Sequence, residues 1–273
     1  MSTSNKVKLP VIYLSHGGGP CFFMDWSPIG PADTWNKTAN WLKNLSHTFS
    51  RPKAIIVISA HWEEKEFTIL TNEAPSLLFD YYGFPQHTYE LKYPAKGSPE
   101  LVLEIQKRLQ AAGIKVESDE KRGFDHGVFI PFKLIYPEAD IPILQISLKS
   151  GLNPATHIEL GKALAPLREK GVLIVGSGMS YHNLNDLMRG NDVLQISKDF
   201  NQWLEETVSL ASFENRNSKL QEWEKAPHAR RVHPREEHLL PLMVISGAAG
   251  DEAGKIVFSD SPMGAVSSAI QFS

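Results

Sequence analysis

Ten histidines are spread along the 273 residues, and five of them stand where side chains from distant segments can meet. His16 follows the apolar run Pro10 to Leu14, and His61 follows the run Ala54 to Ser59. His182 follows Val172 to Val175 through Gly176-Ser177-Gly178. His126 sits in Gly-Phe-Asp-His-Gly, and His238 in Arg-Glu-Glu-His-Leu-Leu-Pro-Leu at the expected start of a helix. Imidazole is neutral near pH 7 and binds zinc, iron, copper or nickel through one nitrogen while the other donates a hydrogen bond. Three protein ligands with open positions make a catalytic metal site, and a further unliganded histidine can move protons. The chain has one cysteine, Cys21, so a metal here must be held by nitrogen and oxygen. No Gly-x-Ser-x-Gly elbow marks a serine hydrolase, and no pair of carboxylates is spaced for glycosidase work. Residue types and spacing thus point to metal-assisted chemistry and leave the reaction open.

Each residue also has a plainer reading. The glycines of Ser-His-Gly-Gly-Gly-Pro can form a tight turn, although beside a ligand they let backbone and substrate approach closely. No Gly-Lys-Ser ending follows them, which excludes a phosphate loop. Taken alone, His61 could cap a core strand and His182 could be a loop residue. Glu236 and Glu237 could complement a helix dipole. The glycines around His126 suggest a fixed loop, in which Asp125 lies too close in sequence to buttress the ring. His47 and His157 read as helix-surface residues, while His87, His228 and His233 have no comparable placement.

Compact apolar runs at Pro10 to Leu14, Ala54 to Ser59, Ile141 to Ser147 and Val172 to Val175 read as buried strands. Helical periods lie between them. Trp35, Ala39, Leu42, Leu45 and Phe49 recur at steps of three and four, as do Val102, Ile105, Leu109 and Ala112 after the cap Ser98-Pro99. Asn153-Pro154 opens another helix, and Gly171 closes it. Ile256 to Ser259 and Ala265 to Phe272 read as final strands, one or both antiparallel. The segment from Glu205 to Arg235 reads as a surface helix followed by a loop. This alternation predicts an α/β fold: a mostly parallel central sheet flanked by helices on both faces, with the active site at the carboxyl ends of the strands. With no repeat and no linker, residues 1–273 read as a single catalytic domain.

Composition narrows the partners. Apolar residues make up 42% and charged residues 22%, which is ordinary for a globular chain. The net charge of −3 offers no electrostatic attraction to nucleic acid or to an anionic membrane. No apolar run reaches the roughly 18 residues of a spanning segment, and the polar stretch Met1 to Lys8 lacks signal-peptide character. A lone cysteine fits a reducing cytoplasm.

Together these segments resemble the class III extradiol ring-cleavage dioxygenases, in their single-chain branch similar to DOPA dioxygenases. The matching pieces are Leu14-Ser-His-Gly-Gly-Gly-Pro20, Ser59-Ala-His-Trp62, Gly83-Phe-Pro85, Tyr93-Pro-Ala-Lys-Gly-Ser-Pro99, Gly123-Phe-Asp-His-Gly127, Tyr136-Pro-Glu-Ala-Asp-Ile-Pro142, Ser177-Gly-Met-Ser-Tyr-His-Asn183 and Glu237-His-Leu-Leu-Pro-Leu242. They occur in the family's order, most strongly over residues 11–250. The resemblance implies one divalent metal per chain, Fe(II) or Zn(II), with His16, His61 and His238 as ligands. It implies that His182 is the catalytic acid/base, near enough to contact the metal, and that His126 contacts substrate or oxygen. Many members of the wider class have a Glu at the third ligand position, where this chain has His238. An all-histidine set suits Zn(II) at least as well as Fe(II), yet zinc has no redox chemistry.

The implied reaction inserts both atoms of O2 into a catechol-type, DOPA-like substrate beside the diol, giving a semialdehyde. His182 would take a catechol proton and return it during O–O cleavage. Phe22, Trp26, Tyr81 and Phe84 are candidate aromatic walls. Two alternatives use the same histidines: a zinc hydrolase with no oxygen requirement, and a non-catalytic metal-binding protein. The expected partners are a small aromatic diol and O2, with the chain acting as a monomer or homodimer.

Overall fold

The computed structural model describes residues 8–273, so all but the last residue of the Met1 to Lys8 stretch lies outside the described residues. Its strands are β1 (Val11–Ser15), β2 (Ala54–Glu64), β3 (Phe67–Leu70), β4 (Val116–Asp119), β5 (Ile143–Lys149), β6 (Val172–Gly178), β7 (Gly254–Asp260) and β8 (Ser267–Phe272). All belong to one sheet, in the order β4-β3-β5-β2-β6-β1-β8-β7. The central strands β5, β2, β6 and β1 are mutually parallel. Antiparallel pairings join β3 to β5 on one side and β8 to β1 on the other. The expected parallel centre and antiparallel tail are both present.

The helices are α1 (Asn36–Leu45), α2 (Pro99–Ala111), α3 (His126–Ile135), α4 (Pro154–Leu164), α5 (Leu184–Met188), α6 (Leu194–Val208), α7 (Phe213–Gln221), α8 (Ala229–Val232) and α9 (Leu240–Ala249). Local chemistry sets several of their ends. Ser98 Oγ accepts from the Leu101 N–H ahead of α2, and Asn153 Oδ1 accepts from the Thr156 N–H at the start of α4. Gly171, at φ 83°, ends the short helical turns after α4 in the left-handed conformation that favours glycine.

Strand alternation sends side chains to two cores. Val11, Tyr13, Ile56, Ile58, Leu144 and Ile174 join one core with α2, α4 and α9. Ile12, Leu14, Ile55, Val57, Leu173 and Val175 join the other with α1 and α3. Helices therefore cover both faces, as expected. Full burial of each such side chain is worth about 1.5–3 kcal/mol, and this is what holds the strand ends in place beneath the histidines.

Several expectations need correction. β2 does not end at Ser59 but runs to Glu64 through an irregularity. Against β5, its register passes from Ile58↔Ile146 to Glu63↔Leu148, so five steps on β2 match two on β5. β6 likewise extends through Gly176-Ser177-Gly178 as paired strand. The strands β3 and β4 were not anticipated: each is four residues long, and β4, Val-Glu-Ser-Asp, is mostly polar. His126 begins a helix rather than lying in a loop, because the apolar run Val128–Phe132 buries all round between sheet and loops. His157 is fully buried in α4, with its ring packed edge-on to Phe67. The polar segment from Glu205 to Arg235 contains α7 and α8 and buries Arg216, Leu220, Trp223 and His233. The five hydrogen bonds recorded for Arg216 all reach oxygens of the loops around it or of α9, which satisfies its buried charge. Among the described residues, no helix is long and apolar enough to cross a membrane.

Candidate metal centre

Three features of the sheet's carboxyl edge bring His16, His61 and His238 together. His16 follows the last residue of β1, and its N–H donates to the Gly178 carbonyl on β6. His61 stands in the irregular part of β2, where the local bulge turns it over the edge. His238 precedes α9, and its carbonyl oxygen accepts from the Tyr13 hydroxyl at 2.7 Å and from the Met179 N–H at 3.2 Å. Glycine is required at position 178, since a Cβ there would overlap that carbonyl.

The Nε2 atoms of these histidines face one another. His61 Nε2 is 3.0 Å from His16 Nε2 and 3.3 Å from His238 Nε2. Their Nδ1 atoms point outward. Ser177 spends its hydroxyl proton on the Gly127 carbonyl at 2.5 Å, so its oxygen accepts from His16 Nδ1–H at 3.2 Å. The Glu237 carboxylate accepts from His238 Nδ1–H at 2.9 Å. His16 and His238 therefore present bare Nε2 lone pairs, and one proton on His61 could satisfy only one of them. A cation between the three resolves the conflict. Nitrogens sharing one ion at about 2.0–2.1 Å are about 2.9–3.4 Å apart, which matches both measured separations. These residues could hold a metal ion.

Electrostatics agree with that donor set. Burial, followed by the neighbouring imidazoles, pushes the pKa of His16 and of His238 well below the usual histidine range. Burial also lowers His61 to about 3, with His126 adding to the effect. All three are neutral near pH 7, the form in which imidazole binds metal.

His126 and His182 flank this trio from opposite sides. The His61 and His126 ring centroids are 3.9 Å apart, and His182 stacks on His238 at 3.3 Å. Each flanking histidine shares a carboxylate with one of the trio. Asp80 Oδ1 accepts from both the backbone N–H and Nδ1 of His126, at 2.9 and 2.8 Å, while Oδ2 lies 3.8 Å from His61 Nδ1. Glu237 Oε1, bonded to His238, lies 3.4 Å from His182 Nδ1. Burial opposes ionisation of both acids, but the hydrogen bond from His126 holds Asp80 below the ordinary carboxylate range, and that from His182 does the same for Glu237. The flanking rings thus turn Nδ1 to a carboxylate and keep Nε2 for the cavity.

The residues expected to matter converge, with some adjustment. As expected, the ring of His126 takes its carboxylate from elsewhere than Asp125. Asp125 lies fully buried and binds Ser59, Arg122 and Gln145, anchoring the start of α3 to the sheet. Burial first, then Asp80, raises its pKa. Sequence reasoning missed Asp80; the available signal was a lone acid within the aromatic run Phe79 to Phe84. Glu237 bonds to His238 rather than serving only a helix dipole. A cavity of about 350 Å³ opens from the histidines, lined by Gly17–Gly19 and by the aromatics Trp26, Tyr81, Tyr82 and Phe84. Phe22, the fourth expected wall, instead packs edge-on to Trp35 at 5.9 Å. Gly17 and Gly19, at φ 82° and 54°, take the left-handed conformation of a tight turn at the cavity, and a Cβ on either would press on Cys21 or Phe84.

Comparison with known proteins matches residues 10–271 to the family described as the catalytic LigB subunit of aromatic ring-opening dioxygenase. A 4,5-DOPA dioxygenase extradiol of Beta vulgaris is 42% identical over 93% of this chain and 91% of its own length. The dioxygenase tasH of Hapsidospora irregularis is 38% identical over 93% of this chain and 82% of its own. Among solved structures, an uncharacterized protein of Escherichia coli K12 superposes with a TM-score of 0.76 at 29% identity, covering 97% of this chain and 99% of that one.

Proposed function

Because the chain belongs to the LigB family of aromatic ring-opening dioxygenases, we propose that it opens a catechol-type ring by extradiol cleavage at a divalent metal held by Nε2 of His16, His61 and His238. The observation that carries this reading is the set of inward lone pairs, two of them forced by outward Nδ1–H donors. The bound ion would gather the diol and dioxygen at one centre and, as Fe(II), would conduct electrons between them.

The protein's own groups divide the remaining work. His182, with Nδ1 directed to Glu237, presents Nε2 to the cavity as the base that takes a diol proton. It returns that proton to a product oxygen as the O–O bond breaks. His126, oriented by two contacts to Asp80, offers a hydrogen bond to oxygen or substrate from the opposite side. The glycine floor and the walls Trp26, Tyr81 and Phe84 hold a flat ring edge-on to the histidines and exclude water. The substrates are an aromatic diol and O2; the Beta vulgaris relative is named for DOPA, and the diol, not its side chain, is what this reading carries over.

Replacing His182 with Phe tests the division of labour. Metal content should stay near one ion per chain while oxygen consumption with catechol collapses. Unchanged consumption would remove His182 from the proton transfer.

A further inference from the structure

The cavity changes character toward its mouth. Ile29, Tyr82, Leu184 and Met188 line it there and are 45%, 91%, 56% and 69% exposed. They are four of the six large hydrophobic side chains that stand exposed among the described residues. Scattered apolar side chains on a surface need no explanation, but four on one rim do. They come from three separate segments: the loop after β1, the loop before α2, and α5. Met179 and Met263 continue the apolar lining inward. The same cavity thus has an apolar rim at the solvent and the histidines at its inner end.

Charge points the same way. Among the described residues no lysine or arginine lines the cavity, and its one carboxylate, Asp80, is engaged with His126. Arg235, three residues before His238, is held by Glu63 and Glu237, and Arg231 is held by Asp186. A carboxylate carried past this rim would lose part of its hydration and meet no lysine or arginine in the lining. An alkyl or aryl tail would lose only unfavourable contact with water.

We infer, resting on the ring-opening reading, that the substrate is a catechol whose ring carries an uncharged apolar substituent extending to Leu184 and Met188, rather than a carboxylate side chain. Unbranched methionine side chains at positions 179, 188 and 263 let the mouth adapt to tails of different shape.

The test compares catechol, 4-methylcatechol, 4-butylcatechol, 4-hexylcatechol and 3-(3,4-dihydroxyphenyl)propionate on protein carrying one equivalent of Fe(II). Anaerobic calorimetry reads binding, and oxygen uptake reads kcat/KM. Both should rise about twofold per methylene, half the free energy of full burial because the rim is partly exposed. The propionate should fall at least tenfold below 4-butylcatechol. The double variant Leu184→Ser, Met188→Ser should flatten the series. Met188→Ser alone, at a more exposed position, should lower its slope. A flat wild-type series, a propionate equal to 4-butylcatechol, or an unaltered slope in the double variant would overturn the assignment. If anaerobic binding follows chain length but no diol consumes oxygen, the apolar ligand class stands and the ring-opening reading fails.

Discussion

Two groups of buried histidines can be compared directly. His16, His61 and His238 gather at the carboxyl edge of the sheet, while His157 and His233 lie within the helical layer. Burial depresses the pKa in both groups, to about 3 for His61 and His233 and to about 4 for His157. The difference is where the nitrogens point. His157 donates from Nδ1 to the Asn153 carbonyl at 2.8 Å and accepts the Lys149 N–H at Nε2, so both nitrogens serve the backbone. His233 donates from Nε2 to the Ser180 carbonyl, with its ring between Phe200 and Trp223. Only the edge group turns its lone pairs toward one another. A depressed histidine pKa therefore reports burial, and convergence of bare nitrogens is what distinguishes a site from a core.

The largest test of this contrast removes a member of each group. His16→Ala, His61→Ala or His238→Ala should abolish stoichiometric metal binding and lower ring-opening turnover on the order of a thousandfold or more. His157→Ala should retain metal and lower only the unfolding midpoint. Metal analysis alongside thermal denaturation reads both, and metal retained in all three edge variants would erase the distinction.

Next in size is the flanking pair. His182→Phe should keep the metal and reduce turnover by about 10²–10⁴-fold, the usual worth of a positioned acid/base. The shared carboxylates should matter less. Glu237→Gln weakens the acceptor of the ligand His238, so metal affinity should fall about 10–100-fold, and Asp80→Asn, which weakens the acceptor of His126 beside His61, should lower it less. A chelator competition titration measures this, and unaltered affinity in both would show that the carboxylates do not set the ligand tautomers.

The smallest effect belongs to the core group. His157 has a folded pKa near 4, below its unfolded value of about 6.5. The unfolded chain thus binds the extra proton, so this contribution is complete above pH 6.5 and is lost as pH falls toward 4. It amounts to about 3 kcal/mol at most. Urea unfolding of wild type and His157→Gln at pH 7.5 and pH 4.5 should show a smaller difference between the two proteins at the lower pH. A constant difference would mean that His157 titrates normally.

Legibility in the sequence followed the same division. Caps such as Ser98-Pro99 and Asn153-Pro154, and apolar runs such as Val172 to Val175, announce their elements because the governing interactions are local. The histidines of the site were legible because three of them follow such runs. What could not be read depends on chain segments meeting across the fold. Asp80 is recognisable only once the loop before α2 lies against α3. The role of Gly178 needs the His238 carbonyl above it. His157 looked like a surface residue because its helix has an ordinary polar pattern, and only the packing of β3 and α9 around α4 buries it. The bulge that aims His61 arises from a register mismatch between β2 and β5, which neither strand carries alone.

The most direct test of the metal centre is oxygen uptake by protein loaded anaerobically with Fe(II) and, separately, with Zn(II), against a panel of catechols. Three inward imidazoles with His182 and His126 beside them predict oxygen consumption with iron, one O2 per ring opened, together with a yellow ring-opened product. The zinc form should bind its ion and consume none. No uptake by the iron form with any diol of the panel would contradict the assignment of this centre to extradiol cleavage.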